Sequence, residues 1–270
     1  MISHEASIKQ RYQVYQTVPM RPINFIASYP RSGNTFLRAL LANHNNALGR
    51  PLTVSEIAQF GDGEVGAERW NAVLGAANSK ASIEGRWSAR RKYLDDVRAT
   101  PGKGPVFLKT HTLNGVVFGR PSFDFMPGDR AIYIVRHPMD VVISGSKFFG
   151  ITPEAMLERM LLSGAYNQAG DMIEATGSWM ENVTGWLNET KIPVSLVRYR
   201  DLVLDTHGQL KLIVKFLQMP SSHKHLRRAV NYSNFQTLRS SNLKDGFYQG
   251  PSRGPTEIFF SGGEARSMEI

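Results

Sequence analysis

The chain has 270 residues and no cysteine. That absence removes disulfides, thiolate nucleophiles and cysteine-ligated metals together, and it fits a cytoplasmic protein. No apolar run approaches the ~20 residues that a membrane helix needs, so no membrane span is expected. The opening stretch, MISHEASIKQRYQVYQ, has no apolar core segment, so no secretory leader is expected either. Without one, the sequons Asn182-Val183-Thr184 and Asn188-Glu189-Thr190 read as chance. Internal repeats and low-complexity tracts are also missing. So is an acidic residue at the end of any candidate strand, where kinases and nucleoside triphosphatases hold Mg²⁺. The strand ends offer His111, Arg136 and Tyr199 instead, a set suited to anions without a metal.

What is present is an ordinary globular composition with a basic excess. Lys plus Arg total 32 against 23 for Asp plus Glu, a formal net charge of +9. That balance suggests an anionic partner. The basic residues are spread out, with no aromatic-interleaved block of the kind that binds nucleic acid, so no nucleic-acid partner is expected. The densest patch, Arg86-Trp87-Ser88-Ala89-Arg90-Arg91-Lys92, reads as a solvated helix face.

Short apolar runs rich in β-branched and aromatic residues predict strands at 23–28, 105–110, 130–135 and 193–199. Helical patterns lie at 34–44, 66–77, 83–98, 139–148, 153–166, 171–190 and 206–218. The alternation predicts an α/β fold, a central parallel sheet flanked by helices. A single domain over 1–270 is expected. Its segment 45–104 would form a helical cap over one end of the sheet, and 231–270 a wrapping loop.

Three strand ends carry chemistry. Strand 23–28 runs into Ser28-Tyr29-Pro30-Arg31-Ser32-Gly33-Asn34-Thr35-Phe36 and then a helix, the arrangement that holds a phosphate at a helix N-terminus. The turn lacks the G-x-x-x-x-G-K-[ST] signature of nucleotide triphosphatases. Strand 105–110 ends in Lys109-Thr110-His111, where alternation puts Lys109 and His111 on one face. They suit general base catalysis with charge stabilisation. They also suit a solvated lysine beside a histidine bonded to a backbone carbonyl, the reading that the pair taken alone favours. Strand 130–135 runs into Arg136-His137-Pro138-Met139-Asp140, with Ser144 about two turns into the next helix. Arg136 could also be a surface ion pair and Ser144 a bonded helical hydroxyl. Gly61-Asp62-Gly63-Glu64-Val65-Gly66 matches G-x-G-x-x-G weakly: a helix-like stretch precedes it, and its two acids would repel a pyrophosphate.

Taken together and in order, these motifs resemble the sulfotransferases that use 3′-phosphoadenosine 5′-phosphosulfate (PAPS). Tyr29–Phe36 is similar to the loop that binds the 5′-phosphosulfate, Lys109-Thr110-His111 to the family's K-T-H element, and Ile134–Ser144 to its 3′-phosphate element. Val197-Arg198-Tyr199-Arg200-Asp201-Leu202 is similar to a later Y-E-D-L stretch. The resemblance implies a P-loop-like three-layer fold. It implies that Arg31, Ser32, Gly33, Asn34 and Thr35 hold the 5′-phosphate, that Arg136 and Ser144 hold the 3′-phosphate, and that Phe36, Tyr199 and Phe235 contact adenine. It implies sulfuryl transfer to a small-molecule or glycoconjugate hydroxyl, without a metal, leaving 3′-phosphoadenosine 5′-phosphate (PAP). His111 would be the general base, with Lys109 and Arg31 stabilising charge. A homodimer is compatible with it. The tail departs from the family: Phe259–Met268 lacks its adjacent basic pair and its Trp, leaving Arg253 or Arg266 as substitutes. A non-catalytic nucleotide-binding protein on this fold and a small-molecule P-loop kinase are the rival readings.

Overall fold

The computed structural model describes residues 19–63, 67–74, 82–169 and 172–245. Its centre is a five-stranded sheet built from β1 (Ile23–Ser28), β2 (Asp62–Gly63), β3 (Val106–Thr110), β6 (Arg130–Val135) and β9 (Val194–Arg198), in the order β2-β3-β1-β6-β9. Every pairing is parallel. The four predicted strands are these, to within a residue, and the edge strand β2 adds a fifth. Two-stranded ribbons, β4 (Val116–Val117) with β5 (Arg120–Pro121) and β7 (Asn167–Ala169) with β8 (Met172–Glu174), stand apart from the sheet.

Both faces of the sheet are covered, which is why its strands read as continuous apolar runs. Alternation divides their side chains between two cores. Ile26, Ile132, Ile134 and Val197 pack on helices α1 (Asn34–Asn45), α2 (Val54–Gln59), α10 (Thr206–Phe216), α11 (His223–Tyr232) and α12 (Phe235–Asp245). Ile23, Phe25, Ala27, Leu108, Ala131 and Tyr133 pack on α3 (Ala67–Leu74), α5 (Arg90–Arg98) and α8 (Trp179–Leu187). The remaining helices are α4 (Ile83–Ser88), α6 (Pro138–Phe149), α7 (Pro153–Leu161) and α9 (Tyr199–Leu204). The described part of 45–104, expected over one end of the sheet, is thus divided between both faces and one edge.

Four further expectations are corrected. The helix expected over 171–190 starts only at Trp179, and Met172–Glu174 is a strand. Ser178 and Glu181 form a capping box, a start signal inside the expected helix. The helix expected over 153–166 ends at Leu161, before Gly164 at φ 67°. The expected loop after Asn231 contains α12, and His223–Tyr232 is helical just before it. The run 83–98 is two helices meeting at Ala89. Residues 246–270, with Arg253, Arg266 and the departing segment Phe259–Met268, lie outside the described residues, as does part of the G-x-G-x-x-G stretch.

One buried ion pair ties the amino-terminal ends of the strands together. Arg98 donates to both carboxylate oxygens of Asp129, at 2.8 and 2.7 Å. Asp129 also accepts from the backbone N–H of Ile23 at 2.7 Å and of Met126 at 2.9 Å. The pair joins α5, the start of β1 and the entry to β6. Removing one partner strands a buried charge, so Asp129→Ala is expected to destabilise the fold by about 3–5 kcal/mol in urea unfolding. Because this pair lies at the opposite ends of the strands from the motifs, nucleotide affinity of the folded fraction should be unchanged.

Candidate active site

Parallel pairing brings the motif-bearing strand ends to one edge. Ala27 is paired with Thr110 of β3 and Tyr133 of β6, so the residues that follow β1, β3 and β6 emerge together. The turn after β1 is tight. Arg31 has φ 67° and Gly33 φ 104°. A Cβ on Gly33 would lie 2.3 Å from Cδ2 of Tyr199, so only glycine fits. Gly33 caps α1 without a side-chain bond, leaving the helix N-terminus to the backbone alone. Asn34 fastens the turn to the strand below, donating to the Ile26 carbonyl at 2.8 Å.

Two guanidinium groups converge here. Arg31 Nε donates to Ser144 Oγ at 3.2 Å, and Arg136 Nη1 donates to the Arg31 carbonyl at 3.2 Å. Arg31 lies over the Phe148 ring at 4.2 Å, and Arg136 over the Tyr199 ring at 4.5 Å. The nearest acid to Arg136 that forms an ion pair is Asp140, with its oxygen 3.9 Å from Nε. Burial, then the neighbouring Arg136, push Arg31 down to about 10, so it remains a cation at neutral pH. Burial raises the Tyr199 phenol, partly offset by these two arginines. Ser32 is 1% exposed and its Oγ has no hydrogen-bond partner among the described residues. Arg136 Nε is likewise buried without one. An orphaned hydroxyl and two adjacent cations at an uncapped helix start fit a phosphate.

His111 stands beside this turn. Its Nδ1 is 2.8 Å from the Ser28 carbonyl and 3.2 Å from Ser28 Oγ. A carbonyl only accepts, so Nδ1 carries the proton and Nε2 keeps the lone pair. Burial, then Lys109, push the imidazole down to about 4, against the opposing pull of Glu174 and the Ser28 bond. Lys109 is 9% exposed, not solvated. Its ammonium pairs with Glu174 Oε1 at 2.8 Å, and the same oxygen accepts from His111 N–H at 3.3 Å. Burial raises the Glu174 carboxyl, but Lys109, His111 and hydrogen bonds outweigh it and hold it at about 2.

The structure therefore gathers Arg31, Ser32, Gly33, Asn34, Lys109, His111, Arg136, Ser144 and Tyr199 near one sheet edge. Thr35 lies in the first turn of α1. Phe36 and Phe235 stack on each other at 4.9 Å beside a cavity of about 230 Å³ that also contacts Val203, Thr206 and Asn234. Trp70, Trp87 and Trp186 are buried in the core. Glu174 escaped sequence reasoning because its strand lay inside a stretch with helical periodicity. No cluster of three or more metal-binding side chains occurs among the described residues.

The sulfotransferase domain profile matches residues 22–248, a span holding every one of these groups. The chain belongs to the sulfotransferase family. Curated relatives of the chain include sulfotransferase 2A1 of Mus musculus, 33% identical over 120 residues, 43% of this chain and 41% of that one. Sulfotransferase 2A6 of Rattus norvegicus is 28% identical over 151 residues, covering 53% and 49%. The 3-alpha-hydroxysteroid sulfotransferase of Cavia porcellus is 27% identical over 129 residues, covering 46% and 44%. These matches span about half of the relatives' length or less. Among solved structures, retinol dehydratase in complex with androsterone and PAP aligns at TM-score 0.58 and 18% identity, covering 96% of this chain and 78% of that one. Mouse sulfotransferase SULT7A1 complexed with PAP aligns at 0.57 and 17%, covering 94% and 80%. At such identities these two establish the shared α/β fold. No described helix is long and apolar enough to cross a membrane.

A pH experiment follows from the low proton affinity of His111. The unfolded imidazole titrates near 6.5 and the folded one near 4. Stability from keeping it neutral is full above 6.5 and is lost as pH falls toward 4. In urea unfolding, His111→Asn should flatten the fall in stability across that window relative to the parent protein.

Proposed function

We propose that this sulfotransferase transfers the sulfuryl group of PAPS to the hydroxyl of a small-molecule acceptor. The observation that carries the reading is the orphaned Ser32 hydroxyl between an uncapped helix start and the Arg31–Arg136 pair, with the neutral His111 beside it. The turn after β1 would hold the 5′-phosphate through Ser32, Thr35 and the backbone N–H groups of 32–35. Arg136 and Ser144 would hold the 3′-phosphate, and Phe36, Tyr199 and Phe235 would border adenine. PAPS supplies the activated sulfur and, on transfer, leaves as PAP.

The chain's own residues do the rest. His111 Nε2 accepts the acceptor's hydroxyl proton, and its Nδ1–H, fixed on Ser28, keeps the ring aimed. A positioned base of this kind is worth about 10²–10⁴ in rate. Arg31 and Lys109 face developing negative charge with preorganised cations in a water-poor site. The guanidinium of Arg31 offers a planar fork where an ammonium would be a point charge. Among acceptors, steroid and retinoid alcohols are the first to screen, since relatives and structural neighbours are named for them.

Calorimetry with PAP against ADP and AMP, without added metal, tests the nucleotide assignment. PAP is expected to bind preferentially, and equal or absent binding would count against the reading. Arg136→Ala should weaken PAP by about a hundredfold, as loss of charge-assisted hydrogen bonds implies, and its 3′-dephospho analogue much less. In turnover assays, His111→Ala should abolish transfer while nucleotide binding persists. Near-normal turnover in that variant would remove His111 as the base.

A further inference from the structure

The K-T-H lysine of this chain is not free to meet an anion on its own terms. Its ammonium is bonded to Glu174, and the two side chains are each 11% exposed. Glu174 ends β8, and the hairpin that carries it is itself tethered. Asn167 of β7 hydrogen-bonds Glu174, and Arg159 of α7 donates to the Asn167 carbonyl oxygen of the side chain. Arg159 in turn lies over the Phe149 ring at 4.7 Å. A chain of contacts thus runs from α6 and α7 through the hairpin to the reacting strand end.

The same carboxylate oxygen touches Lys109 Nζ and His111 N–H, so one atom indexes both residues against each other. An ammonium has three donors, and one here is committed to a carboxylate. The pair is buried, so the opposing charges are poorly screened by water. An incoming anion therefore meets the attraction of Lys109 less the repulsion of Glu174. Binding donor, product and transition state equally tightly lowers KM without raising kcat. A carboxylate that fixes the cation in place while opposing its pull on ground-state anions avoids that outcome.

Building on the PAPS reading of the site, we infer that Glu174 is a positioning residue for the reaction: it holds the Lys109 ammonium beside His111 and moderates its attraction for the anionic donor. Glutamine at this position keeps an oxygen for Lys109 Nζ and His111 N–H but removes the charge. Glu174→Gln should therefore tighten PAPS, the size of one partly screened charge interaction, by about tenfold. A residue serving structure alone would leave affinity unchanged or weaken it.

The experiment is calorimetric titration of PAPS into the parent protein, Glu174→Gln, Lys109→Met and the double variant. The expected result is tighter binding on Glu174→Gln and no such gain when the same change is made in the Lys109→Met background. Unchanged or weaker binding by Glu174→Gln, with the parent binding normally, overturns the inference and leaves the PAPS reading intact. Equal tightening with and without Lys109 also overturns it, because Glu174 would then act without the lysine. A parent protein that binds neither PAPS nor PAP overturns the PAPS reading itself. Glu174→Asp guards against misfolding, since it retains a buried pair of opposite charges. The shorter acid should loosen its hold on Lys109 and tighten PAPS by about threefold, and an unchanged affinity for that variant overturns the inference.

Discussion

The parallel register of β1 between β3 and β6 is the constraint on which the rest depends. Residues 24–28 of β1 pair with 130–134 of β6, and 23–27 pair with 106–110 of β3. Parallel strands in register end together. The chain must then leave all three at one edge, through the turn at Arg31, the histidine at 111 and the arginine at 136. A slip of one residue in any pair would also exchange its two core faces. Phe25 and Ala27 would leave the core that they share with Trp186, and Ile26 the core that it shares with Leu37 and Leu40. Burial on both faces therefore fixes the register, and the register fixes the site.

The two ends of the sheet solve opposite electrostatic problems. At the amino-terminal ends, Arg98 and Asp129 are buried and satisfy each other with a two-pronged bond, and Asp129 takes two backbone N–H groups besides. At the carboxyl ends, two arginines stand side by side, one buried hydroxyl has no hydrogen-bond partner among the described residues, and a histidine is kept neutral. Such an arrangement is costly by itself, because like charges repel and an unpaired buried polar group loses its water. It makes sense where an anion completes it. Glu174 adds a carboxylate at this end that offsets one cation, Lys109.

Much of this was legible in the sequence, and the reasons are local. Ile23–Ala27, Phe107–Leu108 and Ala131–Ile134 are too short and too apolar for anything but buried strands. Gly33 after Ser32 marks a turn needing a positive φ, and Pro138 with Asp140 marks a helix start. The order of Arg31, Lys109, His111, Arg136 and Ser144 along the chain carried the family resemblance, and the domain match over 22–248 agrees with it. Less legible was the stretch around 171–178, where apolar spacing suited a helix. Ser178 and Glu181 carried the true start signal, and the short hairpin before it has too few residues for a period to be read.

The sequence by itself thus determined the α/β class, the strand-end residues and their order, because strand burial, turn chemistry and motif spacing act within a few residues. Tertiary structure alone decided the partners. That Lys109 pairs with an acid 65 positions away, that the Ser32 hydroxyl has no hydrogen-bond partner among the described residues, and that Arg31 reaches Ser144 across 113 positions depend on how distant segments meet. Proton affinities follow those meetings. The His111 imidazole is held down to about 4 by burial and by Lys109, and neither its burial nor the acid opposing that lysine is written in the residues around it.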